Sequence, residues 1–389
     1  MVVALVSLIG LAGLVGVVLT AVARNFGRWA MLMDSAGARG HRKRELRRVP
    51  NVGGVAIAGT ILLTIGGGLA ATFLFRALLT QHLPTEMAVH LNGVRVQAPL
   101  AATVLACLGF LHVMGLVDDR RALGPWVKLA AMAAPCVALP LAFEEARLLT
   151  LLGPAASVVV TAVWLLAVTN ALNFMDNMDG LAGSVAATCA AAMFVFACVS
   201  GQWFIAAYAA VLIGACLGFL VYNTPPATIF MGDGGSLVLG YSLGTLTVLT
   251  TYAALPAGET AGWLGAVPAL FMPVAILAIP LYDLVSVCAI RIAQGKSPLV
   301  GDQQHFSHRL RNRGLGPDGV LAVVVGLTLL AAMSGLAMPF APLGLTPVLA
   351  GQVVLAVAVL AFLERRAGGR ATSERAGEEK NELAVERRS

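Results

Sequence analysis

Residues 154–199 read "PAASVVVTAVWLLAVTNALNFMDNMDGLAGSVAATCAAAMFVFACV" and indicate the fold class. This stretch contains two apolar runs long enough to cross a bilayer, with a short polar segment between them. In that segment Asn170, Asn173, Asp176 and Asp179 recur at every third position. The whole chain is similarly apolar, with 58% hydrophobic residues, 12% charged residues and a mean hydropathy of +0.85. Because soluble domains carry about a quarter charged residues, this composition predicts a membrane protein.

Apolar runs of about 17 to 25 residues identify transmembrane helices. Such runs predict an all-α, polytopic membrane protein with about 11 transmembrane helices. The candidate spans are residues 2–22, 53–75, 99–117, 126–143, 154–172, 182–199, 203–222, 235–255, 264–290, 319–337 and 346–363. We therefore expect a membrane domain over residues 1–363 and a charged, disordered cytoplasmic tail over residues 364–389. The first run lacks a basic segment before it and a clear cleavage site, so we interpret it as a retained span.

The basic residues predict the orientation of the chain. If the predicted helices alternate across the membrane, all but three of the 26 Lys and Arg residues fall on one side. The three exceptions are Arg76, Arg95 and Arg147. Since cytoplasmic loops carry the excess of Lys and Arg, the N-terminus is predicted outside and the C-terminus in the cytoplasm.

Unusual acids and histidines lie on this cytoplasmic side in four separate loops. They are Asp176 and Asp179, Asp118 and Asp119 in "GLVDDRRALG", Asp233 in "NTPPATIFMGDGGSLVLGY", and His305 and His308 in "GDQQHFSHRL". Each has an ordinary explanation as a solvated turn, a helix N-cap or a glycine turn. However, Asp176, Asp179 and Asp233 have no Lys or Arg close to them in the sequence. Another group is therefore expected to neutralise them.

These residue types favour a divalent cation and a phosphate. Mg²⁺ binds one or two carboxylates and completes its shell with water and substrate phosphate oxygens. Asp233 precedes Gly234 at a predicted helix start, where backbone N–H groups and the helix dipole favour an anion. Asn170 and Asn173 can bind a base, ribose or sugar, and the basic loop containing Lys43 and Arg44 can bind a lipid phosphate. The sequence thus contains the groups needed for phosphoryl transfer at a membrane surface.

The four quoted loop segments resemble those of the polyprenyl-phosphate N-acetylhexosamine-1-phosphate transferases, of the glycosyltransferase family 4 type. "RRVPNVGGVAI", residues 47–57, also resembles the Pro-x-x-Gly-Gly segment that enters helix 2 in this family. The motifs occur in the same order, and the resemblance covers about residues 34–315. The family includes the N-acetylglucosamine-1-phosphate transferases of O-antigen and teichoic-acid synthesis and the phospho-N-acetylmuramoyl-pentapeptide transferase of peptidoglycan synthesis.

The resemblance implies a reaction between a UDP-sugar and polyprenyl phosphate, which yields polyprenyl-diphospho-sugar and UMP. It implies Mg²⁺, with Mn²⁺ as the alternative ion, and an active site on the cytoplasmic face of the bacterial inner membrane. It implies no nucleic-acid partner and leaves a homodimer open. Attack by the lipid phosphate is either direct, which we favour because that phosphate is an adequate nucleophile, or proceeds through a covalent aspartyl intermediate.

The family's site residues map onto this chain one by one. The catalytic residues are expected to be Asp118, Asp119, Asp233, His305 and His308, with Asp233 and Asp118 as metal ligands. Asp118 would deprotonate or orient the lipid phosphate. The residues expected to bind substrate are Asn170, Asn173, Asp176, Asp179, Lys43, Arg44, Gly234 and Arg309.

Two positions depart from the family pattern. Ser307 stands at the middle histidine of the usual His-x-His-His-Arg motif, and Asn177 stands where many members have Gly. The spacing of the histidines resembles the N-acetylglucosamine branch more than the muramoyl-pentapeptide branch. N-acetylglucosamine-1-phosphate transfer is therefore the expected activity, with the muramoyl-pentapeptide reaction as the alternative.

Two other classes fit the sequence less well. An ion-coupled transporter is expected to hold its acids near the bilayer midplane, often in inverted repeats, and here the acids cluster at one surface. A CDP-alcohol phosphotransferase requires Asp-Gly-x-x-Ala-Arg and further acids on the next helix, whereas "DGLAGS" lacks the arginine. Asp283 lies within an apolar run, which makes it a functional candidate, although a pair with Arg291 or a neighbouring helix is the simpler explanation.

Overall fold

The computed structural model describes residues 1–33, 49–83, 88–254, 262–298 and 304–365. These residues form helices joined by short turns, and among them β-pairing is limited to two isolated bridges, Met33 with Pro50 and Asn51 with Phe230. The predicted all-α fold is confirmed. In chain order the helices are α1 (Val2–Trp29), α2 (Gly53–Leu74), α3 (Arg76–His82), α4 (Leu91–Arg120), α5 (Pro125–Ala142), α6 (Pro154–Met175), α7 (Leu181–Val199), α8 (Trp203–Asn223), α9 (Asp233–Ala254), α10 (Gly262–Ile276), α11 (Ala278–Ala293), α12 (Phe306–Arg311), α13 (Pro317–Ala337) and α14 (Thr346–Arg365).

Nine helices of the described residues are long and apolar enough to cross a membrane. They are α1, α2, α4, α5, α6, α7, α8, α13 and α14, and a bent pair makes a tenth if it is counted as one span. Each predicted span contains a helix, and α9, at the span predicted over residues 235–255, is not among these nine. The chain is thus a multi-pass membrane protein.

The span predicted over residues 264–290 is broken in the structure. Its two parts, Leu270–Ile276 and Ala278–Ala293, meet at an angle of 73°. Pro280 explains the break, because it has no N–H to donate to the carbonyl of Ile276 and its ring clashes with that carbonyl. The apolar run predicts the length of the span but not the direction of its helix axis. Hydropathy therefore does not predict the bend.

Helix α9 occupies the centre of the bundle and packs against α2, α4, α6 and α7. Its first turn packs so closely against the backbone of α2 and α4 that no side chain fits between them. A Cβ atom added at Gly115 of α4 would lie 2.5 Å from the backbone nitrogen of Gly234, and one added at Gly54 of α2 would lie 2.4 Å from that of Gly235. Glycine at these positions therefore lets three helices converge where the chain carries Asp233.

The end of the last helix differs slightly from the predicted domain boundary. Helix α14 continues to Arg365, and Glu364, which we assigned to the tail, is 8% exposed. The remainder of the predicted tail, residues 366–389, lies outside the described residues.

Candidate active site

The site is built around the first turn of α9. The segment before this helix is joined to the first turn of α2, because Gly53 and Gly54 donate backbone hydrogen bonds to the carbonyl oxygens of Phe230 and Met231, both at 2.8 Å. Gly232 then turns the chain with φ +67°, a value that glycine adopts at low cost. These contacts fix the position of Asp233 at the start of α9.

Asp119 caps α9 from the end of α4. Its Oδ1 accepts hydrogen bonds from the backbone nitrogen of Asp233 at 3.1 Å and from Nδ2 of Asn51 at 3.3 Å, and its Oδ2 accepts one from the nitrogen of Gly234 at 3.4 Å. The first N–H groups of a helix have no partner within the helix, and a carboxylate there also benefits from the helix dipole. Gly234, predicted to bind substrate, thus directs its N–H to Asp119. Both oxygens of Asp119 are engaged in holding the site together.

Asp118 and Asp233 converge on one cation, Lys128 of α5. The Lys128 ammonium lies 2.8 Å from Oδ2 of Asp118 and also contacts Oδ2 of Asp233. Nδ2 of Asn173 donates to Oδ1 of Asp233 at 2.7 Å and contacts Oγ of Ser236 at 2.9 Å. Helices α4, α5, α6 and α9 therefore each place a polar side chain at this point.

Lys128 is the residue that sequence reasoning missed. The sequence places it only among the basic residues of the cytoplasmic side, and no Lys or Arg lies close to Asp233 in the sequence. The two are 105 positions apart, so nearness in sequence gave no sign of the contact. The usable signal was Lys128 itself, a lone lysine in the first turn of an apolar helix.

The protein side chains at this point supply only some of the ligands that a magnesium ion needs. Two carboxylate oxygens, on Asp118 and Asp233, meet at one point, and no group of three or more His, Cys, Asp or Glu that could hold a metal occurs among the described residues. Mg²⁺ sites that bind nucleotide substrates often use one or two carboxylates and take their remaining ligands from water and phosphate. The residues present therefore fit an ion whose shell is completed by the substrate.

A cavity of about 260 Å³ opens beside these carboxylates. The end of α6 and the turn after it contribute the polar lining on one side, and Lys128, Arg291 and His305 contribute cationic or titratable groups. The complete lining is Pro125, Lys128, Leu129, Met132, Asn170, Asn173, Phe174, Asp176, Asn177, Arg291 and His305. Of the predicted substrate residues, Asn170, Asn173 and Asp176 thus line the cavity.

Asp179 lies outside that lining. Its Oδ2 accepts a hydrogen bond from the backbone nitrogen of Ala227 at 3.0 Å, and the neighbouring Gly180 donates its N–H to Asn223 at 3.0 Å. Asp179 therefore joins the turn after α6 to the loop before α9. Lys43 and Arg44, predicted to bind the lipid phosphate, lie outside the described residues.

The predicted histidine motif forms the short helix α12 and the residue before it. Nδ1 of His305 lies 2.8 Å from Oδ2 of Asp283, and the His305 ring packs edge-on against Phe174 with 5.5 Å between centroids. The His308 ring lies 6.5 Å from that of His305 and does not line the cavity. Burial lowers the pKa of His308, and the nearby His305 and Arg311 lower it further, so the structure favours a neutral His308.

Arg309, predicted to bind substrate, is paired within the protein. Its Nη2 lies 2.7 Å from Oε2 of Glu364, and its Nη1 contacts the carbonyl oxygen of Gln304. Tyr282 donates its hydroxyl to the other oxygen of Glu364 at 2.5 Å. The guanidinium thus connects α12 to the end of α14.

Comparison with known proteins gives the family. The family model described as glycosyl transferase family 4 matches residues 101–251. The decaprenyl-phosphate N-acetylglucosaminephosphotransferase of Mycobacterium tuberculosis is 32% identical over 288 residues, which are 68% of this chain and 70% of that protein. The chain belongs to glycosyl transferase family 4.

Other members of glycosyl transferase family 4 are similarly distant. The undecaprenyl-phosphate alpha-N-acetylglucosaminyl 1-phosphate transferase of Escherichia coli is 28% identical over 312 residues, 76% of this chain and 74% of that protein. A probable undecaprenyl-phosphate N-acetylglucosaminyl 1-phosphate transferase of Bacillus subtilis is 27% identical over 267 residues, 66% and 70% of the two chains. The matched family region contains Asp118, Lys128 and Asp233, whereas Asp283 and His305 lie beyond it.

Proposed function

We propose that this protein transfers N-acetylglucosamine-1-phosphate from UDP-N-acetylglucosamine to polyprenyl phosphate. In this reaction an oxygen of the lipid phosphate attacks the phosphorus that bears the sugar. A new P–O bond forms, the bond from that phosphorus to the bridging oxygen breaks, and UMP leaves with the bridging oxygen. The products are polyprenyl-diphospho-N-acetylglucosamine and UMP, so the step would begin a cell-envelope glycan such as lipopolysaccharide or teichoic acid.

The convergence of Asp118, Asp233 and Lys128 beside a polar cavity carries this proposal. Phosphoryl transfer depends on positioning and on charge stabilisation more than on covalent chemistry, and these three side chains supply both signs of charge at one point. The asparagine-lined part of the cavity suits the many hydrogen-bonding groups of a nucleotide-sugar. The names of the relatives, which are N-acetylglucosamine phosphate transferases acting with polyprenyl phosphates, support the choice of donor and acceptor.

Each side chain has a role in the proposal. Asp118 orients the lipid phosphate or accepts its proton, and Lys128 holds Asp118 and Asp233 together and offsets their mutual repulsion. Asn173 fixes the direction of the Asp233 carboxylate through its 2.7 Å hydrogen bond. Asp118 and Asp233 would hold Mg²⁺, or Mn²⁺ in its place, and the ion would supply neutralisation of charge on the diphosphate.

We further propose that the site faces the cytoplasm of the bacterial inner membrane. The cytoplasm is where UDP-sugars are made available to the enzyme, and the distribution of Lys and Arg supports this orientation. Reporter fusions placed after the C-terminal residue and after residue 147 would test it. A cytoplasmic signal from residue 147 would contradict it.

The function is tested by UMP release from the purified protein in detergent with Mg²⁺ and undecaprenyl phosphate. UDP-N-acetylglucosamine and UDP-N-acetylmuramoyl-pentapeptide are compared as donors. We expect turnover with the first alone, and turnover with the second alone would contradict the proposed donor. Asp318→Asn, which neutralises an exposed acid of α13, is the matched control for site carboxylate variants.

A further inference from the structure

Asp283 is a fully buried carboxylate inside a helix of the membrane bundle. It lies in α11 with 0% of its surface exposed. A buried carboxylate carries a large desolvation cost unless it is paired and hydrogen-bonded. Among the described residues, the Asp283 carboxylate contacts two consecutive residues. These contacts are to Nδ1 of His305 at 2.8 Å and to the backbone nitrogen of Phe306 at 3.3 Å.

The two oxygens of the Asp283 carboxylate contact different groups. Oδ2 contacts the His305 ring, and Oδ1 accepts the N–H of the first residue of α12. An ionised carboxylate only accepts hydrogen bonds, so in its pair with ionised Asp283 the His305 ring carries its proton on Nδ1. The other ring nitrogen, Nε2, is then the atom that His305 can offer to a ligand.

The His305 ring lines the same cavity as Lys128, Asn173 and Asp176. It is 6% exposed and is held edge-on against Phe174. Among the residues that the structure describes, the other charged or titratable groups near it include Arg291, whose guanidinium lies 5.0 Å from the centre of the Phe174 ring, and His308. A ring held by a carboxylate at Nδ1 and packed at 86° to an aromatic ring has little freedom to turn.

We infer that Asp283 is a positioning residue, which fixes the His305 ring so that Nε2 hydrogen-bonds the nucleotide-sugar in the cavity. This inference rests on the proposed function and adds a role for a residue outside the matched family region. Asp283 acts through His305 and does not itself contact the donor. The arrangement follows a general pattern, in which a carboxylate sets the tautomer and direction of a working histidine.

Replacing His305 with Gln or with Asn tests whether activity depends on the ring nitrogen Nε2 or on Nδ1. The amide of Gln extends about as far as Nε2, whereas that of Asn extends only as far as Nδ1 and can keep the contact with Asp283. We expect His305→Gln to retain about tenfold more kcat than His305→Asn, while the thermal midpoints follow the opposite order. Higher activity in His305→Asn than in His305→Gln would show that His305 only anchors α12, and would overturn the inference.

A double-mutant cycle tests whether Asp283 acts through His305. We expect Asp283→Asn and His305→Gln each to lower kcat by about 100-fold, the upper end of the range for partners that orient a working histidine, with a smaller change in KM. The double variant should also lose about 100-fold, because the second change removes nothing further. Losses that multiply to about 10,000-fold would contradict the coupling.

Controls separate these outcomes from misfolding and from failure of the proposed function. Asp283→Glu keeps the charge and should recover most of the kcat lost in Asp283→Asn. Folding of the Asp283→Glu variant is judged by its elution and thermal midpoint in detergent. If this variant folds but is no more active than Asp283→Asn, the inference is overturned. Absence of UMP release by the unaltered protein would instead reject the proposed function.

Discussion

Ser307 donates a hydrogen bond to the side-chain oxygen of Asn177. These are the two positions at which the chain departs from the motif pattern of its family, and the structure brings them into contact across 130 positions of sequence. Ser307 is fully buried, and Asn177 lines the cavity and donates its amide to the carbonyl oxygen of Phe174 at 2.6 Å. The two departures therefore form one contact between α12 and the turn after α6.

This contact predicts that the two positions are energetically coupled. His at position 307 needs more room than the buried Ser307 occupies, and Gly at position 177 would provide some of it. We expect Ser307→His alone to lower kcat/KM by about tenfold or more, in line with an overpacked buried site costing about 1–3 kcal/mol. The double variant Asn177→Gly with Ser307→His should recover most of that loss. Independent effects in UMP-release kinetics would contradict the coupling.

The adjacent acids Asp118 and Asp119 should respond differently to substitution. Asp119 caps α9, so Asp119→Ala should lower the free energy of unfolding by about 1–2 kcal/mol and lower the thermal midpoint in detergent. Asp118→Asn should leave the midpoint close to that of the unaltered protein and lower UMP release by about 100-fold or more. A variant Asp118→Asn with full activity would remove the role proposed for this carboxylate.

Lys128 should matter through the two carboxylates that it joins. Lys128→Gln leaves Asp118 and Asp233 without their shared cation, so their repulsion should favour a divalent ion. We expect tighter Mg²⁺ binding by calorimetry together with a kcat about 100-fold lower. Arg120→Gln, which neutralises an exposed cation at the end of α4, is the control. Unchanged kcat in Lys128→Gln would show that the lysine is dispensable.

The pair Arg309 and Glu364 predicts that the contact between α12 and the end of α14 stabilises the protein. Glu364→Gln removes the charge that pairs with Arg309 and should lower the thermal midpoint, because a part-buried cation then loses its partner. Arg309→Gln should have a similar effect, and the double variant should be no less stable than either single variant. If Arg309→Gln instead raises KM for the donor without changing the midpoint, Arg309 binds substrate as the sequence predicted.

The fold and the grouping of site residues were largely predictable, and their pairings were not. Apolar run lengths located the nine helices of the described residues that could span a membrane, and alternation of the predicted helices placed Asp118, Asp176 and Asp233 on one side. Hydropathy does not specify the direction of a helix axis, so it did not predict the 73° bend before Ala278. The partners of Asp233 and His305 lie 105 and 22 positions away, and contacts at such separations follow only from tertiary packing.

The products of the reaction show which bond of the donor diphosphate is broken. Purified protein would be incubated with UDP-N-acetylglucosamine, Mg²⁺ and undecaprenyl phosphate, and both products would be identified by mass spectrometry. Transfer of the sugar with its phosphate predicts UMP and a diphosphate-linked lipid in equal amounts. Formation of UDP with a monophosphate-linked lipid, or no lipid product, would contradict the account.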